Sequence, residues 1–208
     1  MKKICVELSN YEEMEKRWHN IKVKDLCYLC QPIEDMDMVK VGLNLGVFSI
    51  EGEWVPDKEE QMASWEMYVE LITRISVAEL KEDEGLLREA LSSLYTLFQT
   101  TREILRKHGP AVAQPKDKSD YSFGYLAVAI LNRELRPVLA KWHPLLLDYE
   151  NTKPEGVSQL YHERTWNRAQ ELRGILNETR LVLIEYANLL AEAAKVTPLI
   201  TEREEQQI

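Results

Sequence analysis

Two cysteines three positions apart, Cys27 and Cys30, form the first spacing in the chain that could do chemistry. Such a pair exchanges thiols when a helix N-terminus or a cation lowers the thiol pKa, and it binds zinc when a second pair completes the site. The remaining cysteine, Cys5, stands alone, and the pair lies in an apolar run with the pattern of a strand. We therefore expect buried structural thiols, no bound metal and no cofactor.

An arginine followed by a histidine, at the spacing used by HEPN ribonucleases, occurs twice: Arg102 with His108, and Arg136 with His143. In those helical enzymes the histidine transfers protons and the arginine stabilises phosphate charge, so the two side chains must reach one cleft. None of the four histidines has a glutamate three positions before it, which argues against a bundle metal site. A metal-independent ribonuclease is therefore an alternative function for the chain.

Polar side chains stand between apolar ones in the segment 131–143. One interpretation is a binding notch for a partner's carboxylate, formed by the guanidinium groups of Arg133 and Arg136. The other is that these arginines point to solvent or pair with glutamates of neighbouring helices, such as Glu163 or Glu171.

The five tryptophans divide into two groups. Three fall on apolar helix stripes and are expected to pack in the core: Trp65, Trp142 and Trp166. The others, Trp18 and Trp54, lie near the N-terminus, where an exposed indole could anchor a partner. We predict Trp54, Arg133 and Arg136 as the partner contacts.

The first 56 residues contain short alternating apolar runs separated by glycines, which is typical of strands. Ser9 and Glu12 have the spacing of a capping box and predict a short helix over 10–19. Residues 1–56 are therefore expected to form a small α+β module.

After Asp57 the apolar period becomes helical. Asp57 and Glu60 have capping spacing, which predicts a helix over 58–79. The next apolar stripe runs from residue 87 to 108, and its helix should end at Gly109, because glycine takes the left-handed conformation and the proline after it cannot continue the ladder.

A third helix is predicted over 121–148, and its apolar stripe keeps its phase across Pro137, which predicts a kink. A fourth, more than about 50 Å long, is predicted over 158–195. Short connections favour an antiparallel up-down four-helix bundle over 57–196, followed by a flexible tail over 197–208. The predicted fold is thus mainly α.

The charge balance limits the classes of partner. Lys and Arg number 26 against 35 Asp and Glu, a net charge of −9, which disfavours binding to duplex nucleic acid through counterion release. Few cysteines indicate a reducing compartment. No apolar run approaches the roughly 20 residues of a membrane span, and the first residues lack the core of a signal peptide. We expect a cytoplasmic protein with neither a membrane nor a nucleic-acid partner.

Four blocks carry a resemblance to a known family: Trp65–Leu71 (WEMYVEL), Gly85–Leu91 (GLLREAL), Leu131–His143 and His162–Trp166 (HERTW). They resemble a bacterial helical-bundle family, of no established activity, associated with conflict and defence operons. The resemblance covers about residues 60 to 195. It implies an accessory or regulatory component beside an effector.

The predicted function is therefore non-enzymatic. We expect the chain to bind another protein, an effector or regulator encoded nearby, as part of a prokaryotic defence system. The ribonuclease is the alternative, and a homodimer that completes its own bundle is a third possibility.

Overall fold

The computed structural model describes residues 38–45, 48–74, 77–81, 84–114 and 116–199. Over these ranges the chain is mainly helical, with a small two-stranded antiparallel sheet at its beginning, which confirms the predicted class. The predicted helix over 10–19, the pair Cys27 and Cys30, and Trp18 lie outside the described residues.

The strands are β1, Val39–Leu45, and β2, Phe48–Trp54. The α-helices of the described ranges follow in chain order: α1 Lys58–Ile72, α2 Leu87–His108, α3 Phe123–Ala129, α4 Arg136–Glu150, α5 Gln159–Arg164 and α6 Ala169–Ala193. A 3₁₀ helix, Gly109–Ala113, follows α2, and a π-helical segment, Ile130–Leu135, joins α3 to α4. None of the described helices has the length and apolar composition of a membrane span.

The hairpin packs against the helices through one face of β1. Its burial alternates residue by residue, so that Val39, Val41, Leu43 and Leu45 all face the core. β1 contacts α6, and the hairpin belongs to the same compact unit as the helices. The predicted domain boundaries after residues 56 and 196 stay predictions.

α1 begins as the sequence predicts and ends earlier. The Asp57 carboxylate accepts the Glu60 backbone N–H at 3.0 Å, and the Glu60 carboxylate accepts the Asp57 N–H at 3.2 Å, which completes a capping box. The helix ends at Ile72, before the expected residue 79. Further on, the backbone of Leu80 bonds to the Asn177 side chain of α6 at 3.2 and 3.4 Å, so tertiary contacts replace the helical ladder there.

α2 has the predicted end. Gly109 takes a φ of 68°, and its N–H bonds to the carbonyl of Leu105. This is the left-handed conformation that glycine adopts without a steric penalty.

The third predicted helix contains a wider turn. Ser122 caps α3, and the chain stays helical to Glu150 through the π-helical segment. The N–H of Arg136 bonds to the carbonyl of Leu131, five residues back. A wider turn directly before Pro137 relieves the contact between a proline ring and the carbonyl four residues earlier. The kink itself stays a prediction.

The prediction of one long fourth helix is wrong, because residues 165–168 separate α5 from α6. At the break, the Thr165 hydroxyl donates to the carbonyl of His162 at 2.8 Å and lies 3.0 Å from the hydroxyl of Tyr149 on α4. These bonds turn the chain while the apolar periodicity continues, so the periodicity alone conceals the break.

Candidate functional site

Trp54, a predicted partner contact, belongs to the core. It ends β2 opposite Val39, and its side chain is 0 % exposed. The register that turns Val39 toward the helices turns the indole the same way. Trp54 therefore presents no surface to a partner in this fold, and the sequence-based expectation is corrected.

Arg133 lies on the surface of the π-helical segment, beside the hairpin. Its guanidinium carbon is 5.4 Å from the centroid of the Phe48 ring, and Phe48, the first residue of β2, is 54 % exposed. This distance is that of a cation–π contact. The donors in the plane of the group stay available for an acceptor.

The expected pairing of Arg133 with a neighbouring glutamate does not occur. Glu171 binds Lys141 and Arg168 instead. Glu163 accepts hydrogen bonds from backbone N–H groups at the start of α2. Within the described part of the chain, Arg133 forms no ion pair.

A surface groove runs along α3 and ends at Arg133. Its volume is about 440 Å³, and its lining includes Tyr125, Val128, Asn132 and Arg133. We call it the α3 groove. Tyr125 and Val128 are exposed. Gly124 lines the groove where α3 approaches the 3₁₀ helix; a Cβ at this position would lie 2.8 Å from the Cβ of Ala113.

Arg136 points to a different element. Its guanidinium carbon lies 5.4 Å from the centroid of the Phe98 ring on α2, and its Nε donates to the Asn132 side chain at 3.0 Å. Arg133, in contrast, reaches the hairpin. The predicted notch with two guanidinium groups is therefore separated into two surfaces.

His143 connects α4 to α2. Its Nδ1 lies 2.9 Å from one terminal nitrogen of Arg88, and the other terminal nitrogen of Arg88 donates to the Glu150 carboxylate. Because arginine can only donate, Nδ1 accepts and the ring proton lies on Nε2. Burial and the Arg88 charge lower the pKa of the His143 imidazole. Nε2 is buried, so this geometry favours a structural role.

The pair Arg102 and His108 does not share a helix face, because six residues correspond to a rotation of about 240°. His108 packs between Glu59 and Glu66, with nitrogen to oxygen distances of 3.2 and 3.3 Å, and its side chain is 5 % exposed. Arg102 is exposed. By the same arithmetic, Arg136 and His143 lie within about 20° of each other on α4.

Two buried carboxylates cap helices other than those that carry them, and neither role was predicted from the sequence. Glu60 of α1 accepts the Phe123 N–H at the start of α3, at 2.9 Å, and also binds the Lys116 ammonium group. Glu163 of α5 accepts the N–H of Leu87 at 2.8 Å. Burial raises the pKa of the Glu163 carboxyl. The sequence contains one signal for the second role. The residue before α2 is Leu86, whose side chain cannot cap a helix, so the cap of α2 must come from another part of the chain.

Metal binding has no support in the described ranges, since no group of three or more His, Cys, Asp and Glu side chains could hold an ion there. The Cys27 and Cys30 thiols lie outside these ranges.

No family model, curated protein or solved structure matches the chain. The resemblance to a defence-associated bacterial family therefore stays a prediction, and a function must be argued from the surfaces described above.

Proposed function

We propose that the protein is a non-enzymatic binding protein that captures an acidic segment of another protein in the α3 groove, with Arg133 as the charged contact. The observation that carries the proposal is the exposed Arg133 guanidinium group, stacked on Phe48 at the end of a groove that exposes Tyr125 and Val128. Trp54 takes no part, because it is buried.

The composition of the groove suits a protein partner. Aromatic side chains and arginine are enriched where protein interfaces derive most of their binding energy, with apolar contacts at the centre and polar ones at the rim. Here Tyr125 and Val128 provide exposed apolar surface in the groove, and Asn132 and Arg133 provide donors. The exposed Phe48 ring lies outside the groove, against Arg133. The fork of an arginine side chain matches a carboxylate bidentately. An acidic residue flanked by apolar ones is the partner chemistry that fits.

The finer architecture is part of the same proposal. We propose that the helices form an antiparallel up-down bundle, kinked near Pro137; the packing of α1 on α2 and α6, and of α2 on α4, supports this arrangement. The π-helical segment before Pro137 is a recognised cause of such a kink. A regulatory role beside an effector in a defence system rests on the sequence resemblance alone, and a cytoplasmic location rests on the cysteine content and the apolar runs of the sequence.

Photo-crosslinking tests the proposal. A benzoyl-phenylalanine at Val128, in the groove, is expected to trap a partner in native cells, whereas the same group at Leu181, exposed on α6, is expected not to trap it. Arg133→Glu should weaken binding of the trapped partner by at least about tenfold, because charge reversal at an interface opposes a carboxylate. Arg164→Glu, also on an exposed residue, is the matched control.

Two measurements separate contact from folding. The melting temperature of Arg133→Glu should equal that of the parent chain, and an acid-to-lysine change in the partner should restore binding to this variant. Equal trapping at Val128 and Leu181, or unchanged binding by Arg133→Glu, would show that the α3 groove is not the interface.

A ribonuclease remains the second candidate because Arg136 and His143 lie on one face of α4. Both contact an aromatic pair of α2, formed by Tyr95 and Phe98. The ribonuclease is disfavoured because one ring nitrogen of His143 faces Arg88 and the other is buried. A general base needs a nitrogen within hydrogen-bond reach of the substrate.

A further inference from the structure

Four side chains on neighbouring turns of α2 and α4 form a surface that the proposed function does not use: Tyr95, Phe98, Arg102 and Arg136. We call it the Tyr95 face. Tyr95 is 63 % exposed, and its ring centroid lies 6.4 Å from that of Phe98 and 5.7 Å from that of His143. The aromatic ring is thus held at its base by two neighbours and open to solvent on the outside.

Arg102 and Arg136 lie beside the aromatic pair, at its Phe98 end. Arg136 lies over the Phe98 ring, and Arg102 lies one turn further along α2 from Phe98. Tyr95 and Arg102 are seven residues apart, so they project within about 20° of one another and about 10 Å apart along the helix. The four side chains therefore present one aromatic surface with two cations beside it.

These cations are not neutralised by nearby carboxylates. Both arginines are exposed, and neither forms an ion pair with any described residue. Glu103, next to Arg102 in sequence, instead lines the groove between α1 and α2 and accepts a hydrogen bond from Gln99. Glu150 is occupied by Arg88. The local charge is thus positive although the chain as a whole carries −9.

We propose that the Tyr95 face binds single-stranded nucleic acid, with a base stacked on Tyr95 and backbone phosphates on Arg102 and Arg136. An exposed aromatic ring offers a stacking surface to an unpaired base of any sequence, and arginines beside it neutralise the adjoining phosphates. In a duplex the bases are already stacked on each other, which leaves only phosphate contacts. The negative net charge of the chain disfavours binding by phosphate contacts alone, so we still expect weak binding to a duplex. A single strand gains the stacking contact with Tyr95 in addition.

Fluorescence anisotropy with the full chain tests this assignment. The probes are labelled oligo(U) and oligo(dT) of about 15 nucleotides, and a blunt duplex of the same length. Both single strands, or either one, should bind at least about tenfold more tightly than the duplex. A preference between them identifies RNA or DNA as the ligand.

Variants separate stacking from charge. Tyr95→Leu should raise the Kd at least about fivefold, the lower end of what one stacked base contributes. Arg102→Gln and Arg136→Gln should each reduce the slope of log K against log salt by about 0.7, measured between about 50 and 200 mM salt. Tyr161→Leu and Arg164→Gln, on exposed residues of α5, are matched controls and should bind as the parent chain does.

Three outcomes would overturn the proposal. The first is that neither single strand binds at concentrations up to about 100 μM, the weak end of non-specific affinities. The second is that the duplex binds as tightly as the single strands. The third is that the control variants lose as much affinity as the variants of the Tyr95 face. Thermal melts of every variant establish that it is folded, so that lost binding reports on the surface. A protein that occupied this face would leave the oligonucleotide titrations flat, which counts as the first of these outcomes.

Discussion

Replacing Glu163 with alanine removes the carboxylate that caps the first turn of α2. One oxygen accepts the N–H of Leu87 at 2.8 Å, and the other lies 3.4 Å from the N–H of Arg88. The residue before the helix, Leu86, forms no capping bond of its own. Because Glu163 is 2 % exposed, water has little access to these donors, and they would lose their partner.

The expected loss follows from those contacts. A buried donor left without an acceptor costs about 1–3 kcal/mol, and loss of a helix cap costs about 0.5–2 kcal/mol. The bond to Leu87 is short and buried, whereas the contact with Arg88 is long and weak. We therefore expect Glu163→Ala to lower the free energy of unfolding by about 2–3 kcal/mol, and the melting temperature by roughly 4–12 °C for a chain of this size.

The pH dependence gives an independent check on the same residue. Burial raises the pKa of the Glu163 carboxyl above its ordinary 4.5. A carboxyl with a higher pKa in the folded chain contributes stability that is fully present below the unfolded pKa and is lost as pH rises through the folded pKa. Glu163→Gln removes this titration and keeps one acceptor for Leu87. The parent chain should therefore lose stability relative to Glu163→Gln as pH rises from about 4.5 toward neutrality.

Urea unfolding, followed by tryptophan fluorescence and circular dichroism, measures both effects. Glu185→Ala, on an exposed position of α6, is the control and should change the free energy by no more than about 0.5 kcal/mol. A loss in Glu163→Ala no larger than that of the control would refute the capping role. A parent chain that gained stability relative to Glu163→Gln over the same pH range would refute the assigned pKa direction.

Three further predictions concern other parts of the fold. Gly124→Ala should lower the unfolding free energy by about 1–3 kcal/mol, because the added methyl would lie 2.8 Å from the Cβ of Ala113; an unchanged thermal melt would contradict this close approach. Glu60→Gln should lower it by about 1–3 kcal/mol, because its fully buried carboxylate binds the Phe123 N–H and the Lys116 ammonium group; urea unfolding should show the loss, and stability equal to the parent chain would count against the cap. The purified chain should leave RNA intact on a denaturing gel; cleavage that disappears in His143→Ala would establish the ribonuclease instead.

Features set by neighbouring residues were predictable from the sequence. The capping box of Asp57 and Glu60 and the end of α2 at Gly109 depend on side chains and backbone conformations within a few positions. That Glu60 also caps α3 could not be predicted in this way, because Phe123 is 63 residues away. Contacts over such separations depend on how the helices pack.

The side of an element that faces the core was harder to predict. Alternation along β2 places Phe48 and Trp54 on the same side of an ideal strand, but Phe48 is exposed and Trp54 is buried. At the turn end of the hairpin Phe48 is exposed, although Leu45, opposite it in the register, is buried. Alternation alone does not decide which part of a strand face is covered, so neither the burial of the Trp54 indole nor the exposure of the Phe48 ring beside Arg133 could be predicted from it.

The two arginines of the expected notch diverge because the helix between them is not regular. In an α-helix, residues three apart are neighbours on one surface. The segment containing Arg133 is π-helical, which changes the angle between successive side chains. A signal was present in the sequence: buried apolar residues recur every four positions at Ala127, Leu131, Leu135 and Leu139. An α-helix would rotate such a row by about 40° at each step.

The π-helical segment also determines where this stretch can lose a residue. Because its hydrogen bond spans five residues instead of four, the segment holds one residue more than an α-helix that turns through the same angle. Deleting a residue such as Asn132 would therefore restore ordinary α-helical bonding and keep Leu139, Trp142 and Leu146 turned toward the interior. A single deletion within α4 itself would instead rotate everything downstream by about 100°, so deletion scanning should find residues 130–135 more tolerant than residues 138–146.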